Sequence, residues 1–413
     1  MKIHKRENHT GSLSPKVNAL TTHVSSAAPS TTEAVEPSRL AWLALSLTPG
    51  LGPRRILRAV REAGSAEEIL RLPLTGLEAL QFPAQAVQFI ADGQAWHAAN
   101  EELAALQQSG ATFLTFEDTD YPERLREIFD APALLWVRGD VTLLAQSAIA
   151  VVGTRHPTPY GSGMAEMLSR DLAARGMVIL SGMARGVDTA AHKGAIAAKG
   201  KTVAVWGTGI DVIYPKENKS LAEQILSSGG AIVSELPTGT FPAPQNFPKR
   251  NRILSGMSVA VLVVEAGEHS GTRVTARCAL EQNRDVFAVP GNVTTKNAWG
   301  PNTLIKQGAK LVATWEDVWE DLPSQIRAEI ESTWELASNG QPAASLLFEK
   351  APLPPAETRL MSVLRHDESL QLDEIMEKLE PELSSSEVFA ALFELELAGR
   401  VKQLPGKNYV KSF

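Results

Sequence analysis

The chain has 413 residues, 44% of them hydrophobic, and a formal net charge of -7, enough apolar material for a large buried core spread over two or three domains. Its one cysteine, Cys278, excludes an internal disulfide framework; no Cys/His spacing suits zinc, and no cofactor is implied. The acidic balance counts against a general polyanion binder, unless cations gather on one surface while the acids sit elsewhere.

Residues 1–38 are rich in Ser, Thr, Pro and Ala without apolar period, and read as a disordered tail. Lys2, Lys5 and Arg6 are followed by a polar stretch where a signal peptide would be apolar, and no run approaches the roughly 20 residues that span a bilayer. A cytoplasmic protein without a membrane segment is expected. Helical periods at Leu40 to Leu47, Arg54 to Ala63 and Ala95 to Gln107 predict a small helical domain over 39–109, SAM-like or helix-hairpin-helix-like.

From 110 to 322 the texture changes to short apolar runs, each followed by a glycine turn and a helical segment. The runs are Ala148 to Val152, Met177 to Leu180, Thr202 to Trp206, Ala231 to Val233, Val259 to Val264 and Asp285 to Val289. Continuous apolarity rather than alternation predicts strands covered on both faces, hence an α/β, Rossmann-like, doubly wound and mostly parallel sheet. Phe113 to Phe116 and Leu134 to Arg138 are expected to pair at its edge. A proline-rich linker over 323–355, with room for one short helix, leads to a domain at 356–413. Three helical periods and a hairpin there predict a winged helix.

Strand-end loops of such a sheet form the ligand crevice. Gly153-Thr154-Arg155 follows the first run, Ser181-Gly182 the second, Gly207 the third and Ser270-Gly271-Thr272 the fifth. Several glycine turns at one sheet edge predict an amide-lined crevice; close helix-strand packing is the bland reading of each. The sharpest charge cluster is Phe247-Pro248-Lys249-Arg250-Asn251-Arg252, cations beside an aromatic ring, as a single strand of nucleic acid requires. Tyr214-Pro215-Lys216 adds another ring and cation.

Gly200-Lys201-Thr202 precedes a strand instead of following one, with Ala195 where a Walker loop has glycine, and Gly207 to Val212 lacks the third glycine of the dinucleotide fingerprint. A conventional ATPase or NAD enzyme is therefore excluded. Asp188 and His192 read as a capping carboxylate and a packed imidazole, and Cys278 as a core residue. The glycines at 50 and 52 with Arg54 and Arg55 fit a helix-hairpin-helix contact to phosphate and equally a plain joint between packed helices. The third helix of the tail domain carries Glu387, Glu394 and Glu396 and no cation from Ser384 to Gly399, which favours a protein contact over base readout.

Taken in order, Val152-Gly-Thr-Arg-His-Pro-Thr-Pro-Tyr-Gly161, Ser181-Gly-Met-Ala-Arg-Gly-Val-Asp188, Gly207-Thr-Gly-Ile-Asp-Val-Ile-Tyr-Pro-Lys216, Phe247-Pro-Lys-Arg-Asn-Arg-Ile-Leu-Ser-Gly256, Ser270-Gly-Thr-Arg-Val-Thr-Ala276, Pro290-Gly291 and Gly300 to Ala309 resemble the DNA-processing protein A (DprA/Smf) family. The resemblance is strong over about 110 to 320. It implies a non-enzymatic, Rossmann-like homodimer that binds single-stranded DNA, protects incoming strands in natural transformation and loads the recombinase RecA. It places the family's DNA-contacting arginine on Arg155 and its lysine on Lys216, and matches Arg250 and Arg252 to the Arg-Asn-Arg motif. Two departures stand out: Ser270-Gly271-Thr272-Arg273 replaces the usual Ser-Gly-Ser-Leu, and Pro242 and Pro244 crowd the approach to Phe247. The competing reading is a nucleotide or phosphoribosyl hydrolase with Gly271, Thr272 and Glu281 as its turn and carboxylate, although the double glycine of that turn is missing.

Overall fold

The computed structural model describes residues 36–268, 270–337, 354–366, 368–397 and 400–411. The tail expected over 1–38 lies outside these except for its last three residues, as do residues 338–353 of the expected linker.

Six helices open the described chain: α1 (Pro37–Leu47), α2 (Pro53–Ala63), α3 (Ala66–Arg71), α4 (Leu74–Ala79), α5 (Ala84–Ala91) and α6 (Gln94–Ser109). Proline begins α2, where its missing N–H is no loss, and Ser65 caps α3 by accepting from the Glu68 amide. These helices lean on the antiparallel pair β1 (Thr112–Thr115) and β2 (Leu134–Gly139), the edge pairing that the sequence predicts. The Trp136 indole donates to Glu102 of α6 at 2.7 Å, and the Trp42 indole of α1 to Glu117 at 3.0 Å.

The remaining strands of the main sheet are β3 (Ala148–Val152), β4 (Val178–Ser181), β5 (Thr202–Trp206), β6 (Ala231–Ser234), β7 (Ala260–Val263), β8 (Asp285–Ala288) and β9 (Lys310–Leu311). Their order is β1-β2-β6-β5-β4-β3-β7-β8-β9, and from β6 to β9 every pairing is parallel. The expected doubly wound sheet is thus present, with one more strand, β9, than the apolar runs reveal. Alternate residues of β3 serve two cores. Ala148, Ala150 and Val152 face one formed with α7 (Glu123–Arg126), α11 (Asn246–Met257) and α12 (Thr272–Glu281), after the intervening helices α8 (Pro159–Ala173), α9 (Val187–Ala197) and α10 (Lys219–Ser227). Ile149 and Val151 face the other, under α8 and α9. Winding runs outward from β3 through β4, β5 and β6, then returns to β7 on the opposite side. The switch point therefore lies between the carboxyl ends of β3 and β7.

After α13 (Trp299–Lys306) and α14 (Trp315–Asp321), helix α15 (Ser324–Ala337) occupies the first part of the expected linker, with Ile326 and Ile330 buried in the second core. The winged helix comprises α16 (Pro355–Val363), β10 (Leu370–Gln371), α17 (Leu372–Leu379), α18 (Ser385–Leu397), β11 (Val401–Leu404) and β12 (Asn408–Lys411), packed around a core of its own that includes Leu360, Ile375, Leu392 and Tyr409. Among the described residues no helix is long and apolar enough to cross a membrane.

Candidate nucleic-acid interface

A cleft of about 740 Å³ opens at the switch point, walled by the loops after β3 and β7 and by the first turns of α11 and α12. Gly153, Thr154, Arg155, Phe247, Arg250, Asn251, Gly271 and Thr272 all line it, so the structure brings together segments that lie far apart in the chain. Arg155 is exposed at the rim, its guanidinium 5.8 Å from the centre of the Phe247 ring. The Tyr214 ring lies 5.5 Å from the same ring at 41°, itself 39% exposed, and Lys216 and Lys249, each two residues further along the chain from one of these rings, are exposed. Two rings and a solvated guanidinium on one rim supply stacking surface and phosphate neutralisation together.

Other residues expected at the interface lie beneath it. Ser181 is buried, its hydroxyl donating to the Val151 carbonyl at 2.7 Å, so it stitches β4 to β3 instead of meeting a ligand. The Gly182 amide is already used by the Asp188 carboxylate at 3.1 Å, which also accepts from Ala184 at 3.2 Å. A side chain at Gly182 would run into the Arg250 guanidinium, and one at Gly207 would come within 2.9 Å of the Phe247 ring; Val187 fills the space beside Gly153. Close packing explains why these three positions are glycine, and at Gly182 the amide is occupied as well. Gly271 alone of the four turn glycines has open space around it.

The Arg-Asn-Arg motif divides in the same way. Arg250 is buried and donates to the Val205 carbonyl at 2.7 Å, near enough to Asp188 and Arg155 to act on both electrostatically. Burial pushes the Asp188 carboxyl up, and the Arg250 charge pulls it back down. Arg252 grips both oxygens of Glu235 at 2.5 Å and reaches Asp130 at 3.2 Å. Both arginines therefore hold α11 against the sheet, leaving Lys249 as the cation of that motif that faces solvent. Asn251 lines the cleft, half-buried.

One residue whose role the sequence reading missed is Glu265, buried at the end of β7. Its carboxylate accepts from the Thr158 amide at 2.9 Å, the Thr158 hydroxyl at 2.6 Å and the Asn297 side-chain amide at 3.3 Å, while its carbonyl accepts from Thr154 at 2.7 Å. It ties together the loops that follow β3, β7 and β8. A carboxylate directly after an uninterrupted apolar strand was the available signal, since burial there demands partners. Gly186, with φ at +78°, closes the next loop where a side chain would strike the Thr154 carbonyl. Beyond it, Asn218 donates to the Met183 carbonyl at 2.8 Å and fixes the Lys216 turn to this framework.

Asp188 and His192 do not form an acid-base pair. The buried imidazole is bonded to the Thr202 hydroxyl at 2.7 Å, and burial lowers its pKa to about 3, leaving it neutral. Cys278 is only half-buried, on α12. Glu281 ends the helix that Thr272 begins, exposed and paired with Arg277, so the hydrolase constellation is not assembled. The additional cation Arg273 donates to the Glu268 carbonyl and stacks 5.1 Å from the Trp299 ring, outside the cleft wall.

The DNA recombination-mediator protein A family model matches residues 112–323, which hold the whole sheet and cleft, and a DprA winged helix model matches 342–407. The chain belongs to the DprA/Smf family. Protein Smf of Escherichia coli (strain K12) is 40% identical over 309 residues, covering 75% of this chain and 79% of that protein. Protein Smf of Synechocystis is 33% identical over 391 residues, covering 89% and 97%. Among solved structures, DNA processing protein A of Streptococcus pneumoniae superposes with a TM-score of 0.59 at 34% identity, over 70% of this chain and 99% of that one. The family resemblance drawn from the ordered motifs is thereby established, over a longer stretch than the motifs alone occupy.

Proposed function

We propose that the switch-point cleft captures single-stranded DNA without breaking a bond. The observation that carries this reading is the rim on which Arg155, Phe247 and Tyr214 stand together, with Lys216 and Lys249 exposed two residues along the chain from the two rings. Rings tolerate any base, and the cations meet phosphates irrespective of sequence. Duplex bases are stacked on each other and offer no free face to Phe247.

Membership of a recombination-mediator family supports the wider role: protection of incoming strands in transformation, and their handover to RecA in the cytoplasm by a homodimer joined through the sheet domain. Sedimentation analysis of the full chain, alone and with RecA, tests the dimer and the handover contact.

Fluorescence anisotropy with a labelled single strand, competed by duplex and by AMP across a salt series, tests the binding itself. With three exposed cations on phosphates the log-log salt slope is about -2. Arg155→Ala weakens all sequences alike. Affinity retained by that variant, or displacement of the strand by AMP as readily as by competing DNA, would sink the assignment.

A further inference from the structure

The helical domain carries charge and an aromatic ring that the cleft does not use. Helix α2 reads Pro53-Arg-Arg-Ile-Leu-Arg-Ala-Val-Arg-Glu-Ala63, four arginines against one glutamate in a chain whose net charge is -7. Its apolar side, Ile56, Ala59 and Val60, is buried, so the arginines ride on the outer side. Arg58 pairs with Glu62 at 3.6 Å and Arg55 and Arg61 donate to carbonyls of their own segment, but Arg54 has no carboxylate partner among the described residues. Its guanidinium instead lies 3.8 Å from the centre of the Phe129 ring.

Phe129 is 79% exposed, the most exposed aromatic ring among the described residues. It stands on a pinned loop. Asp130 holds Arg252, Glu127 holds Arg284 at 3.0 Å, Ile128 is buried, and Ala131 donates back to the Ile128 carbonyl. An exposed cation-π contact stabilises less than burying such a ring does, so the ring is held outward against the usual preference.

From this arrangement we infer that Arg54 and Phe129 form a second contact for single-stranded DNA, receiving the strand as it leaves the switch-point cleft. Position supports it. Phe247 and Arg252 are five residues apart on α11, about 7.5 Å along the axis, and Arg252 carries the loop next to Phe129 through Asp130. Exposed Lys249 falls between them in sequence and acts electrostatically on Glu235, the carboxylate that Arg252 holds. One ring face is taken by the guanidinium, the other is open to an unpaired base, and the cation that covers the first is placed to meet the adjoining phosphate. The inference rests on the cleft reading given above.

The test compares oligothymidylates of roughly 5 and roughly 20 nucleotides, the shorter filling the cleft alone, on the full chain and on Phe129→Ala, Arg54→Ala and Arg155→Ala. Phe129→Ala and Arg54→Ala are expected to keep the affinity for the short strand and lose about fivefold or more for the long one, as removal of one stacked base does. Indole fluorescence introduced by Phe129→Trp is expected to change with the long strand only. Loss of both affinities by Arg155→Ala while Phe129→Ala binds both strands like the parent overturns the second contact and leaves the cleft standing; such a result would fit a protein partner for this ring. Unchanged binding by Arg155→Ala removes the cleft reading itself.

Discussion

Arg250 shows how a positive charge beside a binding cleft can be structural. Its guanidinium fills the space left by Gly182, bonds the carbonyl at the end of β5 and offsets the buried Asp188 carboxylate. Replacing it by methionine keeps the volume and removes the charge, leaving Asp188 without compensation. The Arg250→Met protein is expected to lose about 3–5 kcal/mol in denaturant unfolding, whereas Lys249→Met keeps its stability and weakens strand binding. His192 provides a pH signature. Folded, it stays neutral down to about pH 3, while the unfolded chain takes up a proton below its ordinary value of 6.5. Stability is thus complete above that value and falls as the pH drops, by about 1.4 kcal/mol per unit. Between about pH 7 and about pH 5 the parent is expected to lose about 2 kcal/mol more than His192→Gln, read from denaturant midpoints at each pH. Which cations were free was not legible in the sequence. Lys249, Arg250 and Arg252 look alike in a motif; what separates them is the placement of Val205, Glu235 and Asp130, set by sheet order and not by neighbours in the chain.

At the level of elements, strands β3 to β8 were legible because burial on both faces writes each as an unbroken apolar run. The two-residue strands β9 and β10 were not, being too short to carry a period. Helix α15 was legible only as room for one short helix within a linker, because its apolar residues answer to a core built by distant segments. The crevice at the switch point was legible from the glycine turns, although three of those glycines turned out to mark packing. Helix α6 is joined to the loop before α11 by Glu102, whose carboxylate accepts from the Trp136 indole, the Thr238 amide and the Thr238 hydroxyl, the last two at 2.8 Å. Glu102→Ala leaves these donors without their acceptor. Faster hydrogen exchange over residues 237–245 is expected, with a stability loss of about 1.5–3 kcal/mol; unchanged exchange there would show that the bonds from the Gly239 amide to Asp211 and from the Gly209 amide to the Thr240 carbonyl hold the loop without Glu102.

At the scale of the whole molecule, two helices among the described residues differ sharply in charge. Cations stand on the cleft rim and on α2, while α18 of the winged helix presents Glu387, Glu394 and Glu396 around exposed Phe389, Phe393 and Leu397. Phosphate is repelled by such a helix. Because the winged helix has its own core, ending the chain at Ala337 leaves both sheet cores intact and is expected to leave single-strand affinity unchanged in the same anisotropy titration. Another boundary behaves differently. Strand β1 is the outermost strand on its side of the sheet, and Phe113 within it is covered by α1, whose Arg39 donates to the Phe113 carbonyl at 2.5 Å and lies over its ring. A fragment cut to begin at the sheet would uncover that border, with its unpaired backbone groups and its apolar side chains together. It would then template the stacking of one fragment on the next, and insoluble material at high concentration is the behaviour to expect from it.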